Sequence, residues 1–185
     1  SYWTLEDTGI TNDEQYFEAL RRRFPDPVEP IAAMYPASKF AEAKNPYQAA
    51  LTRAFGDGRL VCSTYDAAIR ATELGLPVHM YNFDVAVDDI VGAAHAAELV
   101  FVFGTIPVPT PETKQVSDRM MGYWTQFARA GDPNGDPLLN WPSFTETSDR
   151  RLNFGLESSI VDDFRAEECA FWRTRYDEAF NAAAP

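Results

Sequence analysis

Apolar residues recur at helical spacing along most of this chain, and a few short runs break that spacing. From Thr11-Asn12-Asp13-Glu14 onward, Phe17, Leu20 and Phe24 share one helix face. Thr11 and Glu14 have the composition of a capping box, so a helix is predicted to about Arg23, where Pro25 and Pro27 stop it. A shorter helix is predicted over about 28–34, ahead of Pro36. Asn45-Pro46 opens a third, with Ala49, Ala50, Leu51 and Phe55 as its face and Gly56-Asp57-Gly58 as its end. Ser63 or Thr64 caps a fourth over 65–74, with Gly75 in the left-handed stop position. Pro77-Val78-His79-Met80-Tyr81-Asn82-Phe83 is the best buried-strand signal, expected over 78–83. A short apolar run, 99–103, precedes Gly104, and 107–111 is a stiff connector. The longest helix is predicted over 112–130, on Val116, Met120, Trp124 and Phe127, with Gly131 as its stop. Residues 131–135 are dense in turn formers, 151–154 reads as a short strand, and Asp162 or Asp163 is expected to cap a last helix to about Phe180. Residues 1–10 read as a loop or a short helix.

Helix, loop, then strand is the rhythm of an α/β fold. Helices outnumber strands, and two isolated strands do not make a self-sufficient sheet. The chain is therefore expected to complete a larger α/β body. No internal repeat or linker divides it, so 1–185 is expected to be one segment.

Composition narrows the partners. With 185 residues, 45% hydrophobic and 14% aromatic, the chain has the make-up of a globular protein. A formal net charge of −12 disfavours nucleic acid and anionic membranes. No apolar run is long enough for a membrane span, and the first residues lack a leader pattern. A start at Ser1 without Met is expected for a processed, tagged or cleaved product. No cofactor pattern is present and no metal is expected. Cys62 and Cys169 could be two buried thiols, a metal pair or one disulfide, and the metal pair lacks neighbouring His or Cys partners.

The chemistry concentrates at His95, in Gly92-Ala93-Ala94-His95-Ala96-Ala97-Glu98-Leu99. A histidine on the loop leaving a core strand suits a general base, while a loop histidine with a structural hydrogen bond is the simpler alternative. No Gly-x-Ser-x-Gly occurs, and His79 is the one other histidine. The chain is thus expected to hold a proton-transfer residue whose nucleophile lies elsewhere. His79, inside the strand, is expected to be packed and hydrogen-bonded. Met120, Met121, Trp124 and Phe127 could line a pocket, but their spacing favours core packing. Asp132, Asn134 and Asp136 lack the spacing of a calcium loop and read as a solvated turn.

Four blocks, in order, resemble the C-terminal third of type-B carboxylesterases, the family that includes cholinesterases. They are Pro77 to Asp84; Gly92 to Gly104; Met120-Met121-Gly122-Tyr123-Trp124-Thr125-Gln126-Phe127-Ala128-Arg129-Ala130-Gly131-Asp132-Pro133-Asn134 with Trp141-Pro142; and Arg151-Leu152-Asn153-Phe154 with Glu168-Cys169-Ala170-Phe171-Trp172. The order and spacing over 60–172 make the likeness specific. One departure is local: the family often has Gly then Asp after the histidine, where this chain has Ala96-Ala97.

The resemblance implies the C-terminal portion of an α/β-hydrolase fold, mostly helices with the last strands of the central sheet. It implies a Ser–Glu/Asp–His triad in that chain order, with His95 as its histidine, in carboxylic ester hydrolysis through an acyl-enzyme. Ser1-Tyr2-Trp3 looks like the stretch just beyond the family's acid motif. Serine and acid would then come from an N-terminal part of the same esterase, and a small ester would be the substrate; alone, the chain would have no meaningful activity. Glu98 would be a carboxylate tying the histidine loop to the body, or else a charge at a helix N-terminus. Cys62 and Cys169 match a family disulfide, which implies secretion or a periplasm, with two thiols in a cytoplasmic esterase as the alternative. A second reading is a non-catalytic cholinesterase-like binding or adhesion module.

Overall fold

The computed structural model describes residues 9–86, 93 and 95–183. The expectation for 1–10 falls, as far as Thr8, outside the described residues, as do Gly92 and Ala94 of the histidine block. The elements are α1 (Asp13–Arg21), α2 (Glu29–Met34), a 3-10 turn (Ala37–Phe40), α3 (Pro46–Gly56), a π-helical turn (Asp57–Val61), α4 (Cys62–Glu73), β1 (Tyr81–Phe83), α5 (Leu99–Val102), α6 (Pro111–Ala130), β2 (Arg150–Phe154), β3 (Ser158–Asp162) and α7 (Ala166–Ala183). They form two compact units, Ser1–Ala67 with Arg165–Pro185, and Ala68–Phe164.

The first unit is helical. Asn12, not Thr11, caps α1: its Oδ1 accepts from Gln15 N–H at 3.0 Å, while the Gln15 side chain reaches back to accept from Thr11 N–H at 2.9 Å. The box is shifted by one residue because asparagine presents its carbonyl as readily as threonine its hydroxyl, and glutamine serves as well as glutamate at the return position. Asn45 caps α3 in the same way, accepting from Gln48 N–H, with Pro46 in the first turn. α3 ends at Gly56, within the expected Gly56-Asp57-Gly58, but the helical path does not stop there. The chain stays right-handed through the π turn directly into α4. Ser63 therefore caps nothing, and its hydroxyl donates back to the Arg59 carbonyl at 3.0 Å.

Packing accounts for that continuation. A Cβ on Gly58 would come within 2.6 Å of the Trp172 ring, so glycine here serves close approach rather than a turn. Tyr176 donates its hydroxyl to the Gly58 carbonyl at 2.7 Å. Asp57 is 2% exposed and accepts from the Tyr35 hydroxyl at 3.1 Å, and that hydroxyl accepts from Trp172 Nε1 at 2.9 Å. Burial pushes the Asp57 carboxyl up to about 6, against the pull of Arg53 and of the Tyr35 hydrogen bond. Next to this network a disulfide joins Cys62 at the start of α4 to Cys169 in α7. Leu20, Val28, Ile31, Ala50, Leu51 and Ala54, all fully buried, fill the core around it. At about 1.5–3 kcal/mol for each large side chain, this apolar burial is the main stabilising term. Neither Asp162 nor Asp163 caps α7; Asp162 belongs to β3, and Asp163 and Arg165 take positive φ of 50° and 61° to turn the chain into the helix.

The second unit holds a three-stranded sheet in the order β1-β2-β3. β1 and β2 are parallel, with Tyr81 opposite Leu152 and Phe83 opposite Phe154. β2 and β3 are antiparallel, with Leu152 opposite Ile160. The strand predicted over 78–83 is regular only over 81–83. Upstream, irregular partners take the carbonyls: Phe144 N–H donates to Val78 O, and Trp141 Nε1 to Met80 O, both at 2.8 Å. β3 went unpredicted because Ser-Ser-Ile-Val-Asp carries too little apolar alternation to stand out.

α6 covers the face of β2 that carries Leu152 and Phe154, through Val116, Met120 and Tyr123, and all five are fully buried. The helix begins with a capping box between Thr110 and Thr113, has Pro111 in its first turn, and ends at Gly131 with φ 74°. At the start of the central strand β2, Arg151 and Asp149 form a buried bidentate pair at 2.6 and 2.9 Å, with the Phe164 ring 5.2 Å from the guanidinium. Among the described residues, no helix is long and apolar enough to cross a membrane.

Candidate functional site

His95 lies on the segment that leaves the carboxyl end of β1, in a run of turn residues leading to α5. That end of a parallel strand is where α/β sheets collect their ligands and reactive groups. The side chain is exposed. The next residue, Ala96, has φ 66°, in the left-handed region where a Cβ costs about 1 kcal/mol. Its carbonyl accepts from Leu99 N–H at 3.3 Å.

Glu98 is the residue before α5. Its carbonyl accepts from both Phe101 and Val102 N–H at 3.0 Å, starting that short helix. Glu98 itself is half-buried. Burial first, then the nearby Glu98 carboxylate, push the Tyr81 phenol up to about 12, so it stays protonated at any physiological pH. α5 is fixed in turn to α6, because the buried Ser117 hydroxyl donates to the Phe101 carbonyl at 2.7 Å. Gly104 (φ 64°) lets the chain turn away after α5; a Cβ there would lie 3.0 Å from the Met121 sulfur. His95 and Glu98 thus share one turn, which runs into α5 and is tied through it to α6.

The other residues singled out in the sequence fall elsewhere. Cys62 and Cys169 belong to the first unit. Met120 is core, and Met121 lies against Gly104. Trp124 and Phe127 do not simply fill the core: with His79, Tyr81, Tyr123, Pro133 and Trp141 they line a cavity of about 190 Å³, and Phe127 is 47% exposed. His79 packs edge-on against Trp141, ring centroids 5.9 Å apart, and its buried Nδ1 has no hydrogen-bond partner among the described residues. It is packed as expected but lacks the expected hydrogen bond at that nitrogen. Asn134 uses its amide to staple the turn after α6: Nδ2 donates to the Trp141 carbonyl, and Oδ1 accepts from Trp141 N–H at 2.6 Å. Asp132 accepts from Asn134 N–H at 2.9 Å, and this bond holds its carboxyl below the usual range. Sequence reasoning did not single out Tyr81 or the backbone of Ala96. The signal for Ala96 was the departure from the family's Gly at that position; for Tyr81 there was none.

A small mixed sheet, a long helix across it, and a histidine turn beyond the parallel strand make up a partial α/β-hydrolase fold. The chain belongs to the carboxylesterase family, whose model matches residues 6–172. It is 29% identical to acetylcholinesterase of Gallus gallus over 195 residues, covering 97% of this chain and 25% of that protein. It is 31% identical over 142 residues to the medium-chain fatty acyl-CoA hydrolase precursor of Anas platyrhynchos, covering 71% and 25%. With carboxylesterase 4A of Bos taurus it shares 35% identity over 127 residues, covering 63% and 23%. The chain spans about a quarter of the length of these curated relatives.

Proposed function

We propose that these 185 residues are one segment, the C-terminal part, of the catalytic domain of a serine carboxylesterase, and that His95 is its general base. The observation that carries this reading is the family match over 6–172, which takes in His95 inside the block that resembles the family's histidine loop. The imidazole takes the proton of a serine hydroxyl as that oxygen attacks the ester carbonyl, then returns it to the leaving alcohol. Water repeats the sequence on the acyl-enzyme. Serine and acid come from an N-terminal part of the same esterase, and a small carboxylic ester is the substrate. Glu98 ties the histidine turn to the body. The disulfide supports secretion or a periplasmic location.

The test uses the full-length protein. A serine-directed phosphonate is expected to label it, and His95→Ala to lower kcat on a short p-nitrophenyl ester by more than about a thousandfold. A folded protein that neither takes the label nor hydrolyses esters would be a binding module instead.

A further inference from the structure

The turn that carries His95 leads straight into α5, and α5 sets where it sits. Ala96, next to the histidine, is left-handed, and its carbonyl accepts from the N–H of Leu99, the first residue of α5, at 3.3 Å. Four residues do not make a helix that stands unaided. Among the described residues no side chain caps α5 at Glu98. Its place comes from Phe101, its buried residue, which is held at two points. The Phe101 ring lies 5.0 Å from that of Phe83 on β1, between centroids. The Phe101 carbonyl accepts from the Ser117 hydroxyl of α6 at 2.7 Å. Gly104 N–H also reaches this carbonyl, at 3.2 Å, but from the turn that follows α5 itself.

The Ser117 bond is not the local choice. A hydroxyl inside a helix commonly turns back onto a carbonyl three or four residues earlier. Thr125 of the same helix does so, donating to the Met121 carbonyl at 2.7 Å. Ser117, only 3% exposed, instead directs its hydroxyl across to α5.

We propose that Ser117 is a positioning residue for His95: its hydroxyl fixes the Phe101 carbonyl, through it α5, and through α5 the left-handed turn that aims the imidazole. This rests on the reading of His95 as the general base. Without the bond α5 can shift on α6, and a displacement of about 1 Å at a catalytic group lowers the rate by up to about a hundredfold.

The experiment compares Ser117→Ala, Tyr123→Phe and His95→Ala with the parent in the full-length protein, with a short p-nitrophenyl ester as the probe. Sites are counted by titration to completion with a serine-directed phosphonate, so kcat is per folded site. Tyr123→Phe is the matched control: it removes a hydroxyl of the same helix from a different carbonyl, that of Leu139 at 2.6 Å, away from α5. Ser117→Ala is expected to lower kcat by about ten- to a hundredfold with KM within about twofold, the pattern of a misplaced catalytic group. Tyr123→Phe is expected to keep kcat within about twofold. The proposal is overturned if Ser117→Ala keeps its kcat, if its loss falls on KM instead, or if Tyr123→Phe loses as much. Should Ser117→Ala not fold, Ser117→Cys is judged in the same way, with a kcat loss of at least about threefold expected because a thiol fills the site but donates weakly. If His95→Ala keeps its activity, the general-base reading falls too; if His95→Ala abolishes activity, a failure at Ser117 leaves that reading standing.

Discussion

Replacing Asp57 by asparagine should make this protein more stable at neutral pH and leave it nearly unchanged in acid. Asp57 is 2% exposed within the π turn, and its carboxyl is held at about 6 against an ordinary value of 3.8. The sign follows from proton binding. Between those two values the folded state keeps the proton and the unfolded state gives it up. Stability is therefore greatest below about pH 3.8 and falls as pH rises through about 6. At about 1.36 kcal/mol for each tenfold ratio, the ionised carboxylate costs roughly 3 kcal/mol at neutral pH. Asparagine has nearly the same shape and still offers an oxygen to the Tyr35 hydroxyl, but carries no charge to desolvate. Any fixed cost of its amide group cancels when the two pH values are compared. The assay is urea unfolding of parent and Asp57→Asn at about pH 4 and about pH 7.5, followed by tryptophan fluorescence. The stability difference between variant and parent should move by roughly 2.4 kcal/mol in the variant's favour between the two, since a little of the cost is already present at pH 4. A difference that stays constant, or that moves the other way, would refute the assignment of this cost to the Asp57 charge.

Two further outcomes are expected. Arg151→Ala strands the Asp149 carboxylate in a site where both side chains are at most 5% exposed; it should destabilise by about 3–5 kcal/mol, read as a drop in urea midpoint. Opening the Cys62–Cys169 bridge, by reductant or by the double serine variant, frees a loop of 107 residues. The loss should reach about 4–5 kcal/mol by chain entropy, seen as a lower Tm with little change in the folded spectrum.

What could be read in the sequence depended on how local each cause was. α6 was legible because Pro111, the apolar repeat from Val116 and the Gly131 stop all act within a few residues of the helix. The π turn was illegible for the opposite reason. Gly56-Asp57-Gly58 has the composition of a helix end, and only Trp172, more than a hundred residues on, turns that glycine into a packing site. β3 depends on its register with β2 rather than on its own pattern. At the site, the block around His95 could be read by its likeness to a family. The tie between Ser117 and the Phe101 carbonyl, which fixes α5 to α6, could not, since nothing in a helix serine says which distant carbonyl it will meet.

The central strand of the sheet pairs with neighbours at very different distances along the chain. β3 follows β2 across a turn of three residues, whereas Asn82 and Asn153, hydrogen-bonded across β1 and β2, are 71 positions apart. Closing so long a loop carries an entropy cost that the hairpin does not bear. The hairpin can therefore form early, as a local template, and β1, which leads to the His95 turn, joins it late. On loop length alone, the histidine turn is expected to be placed after the hairpin has formed.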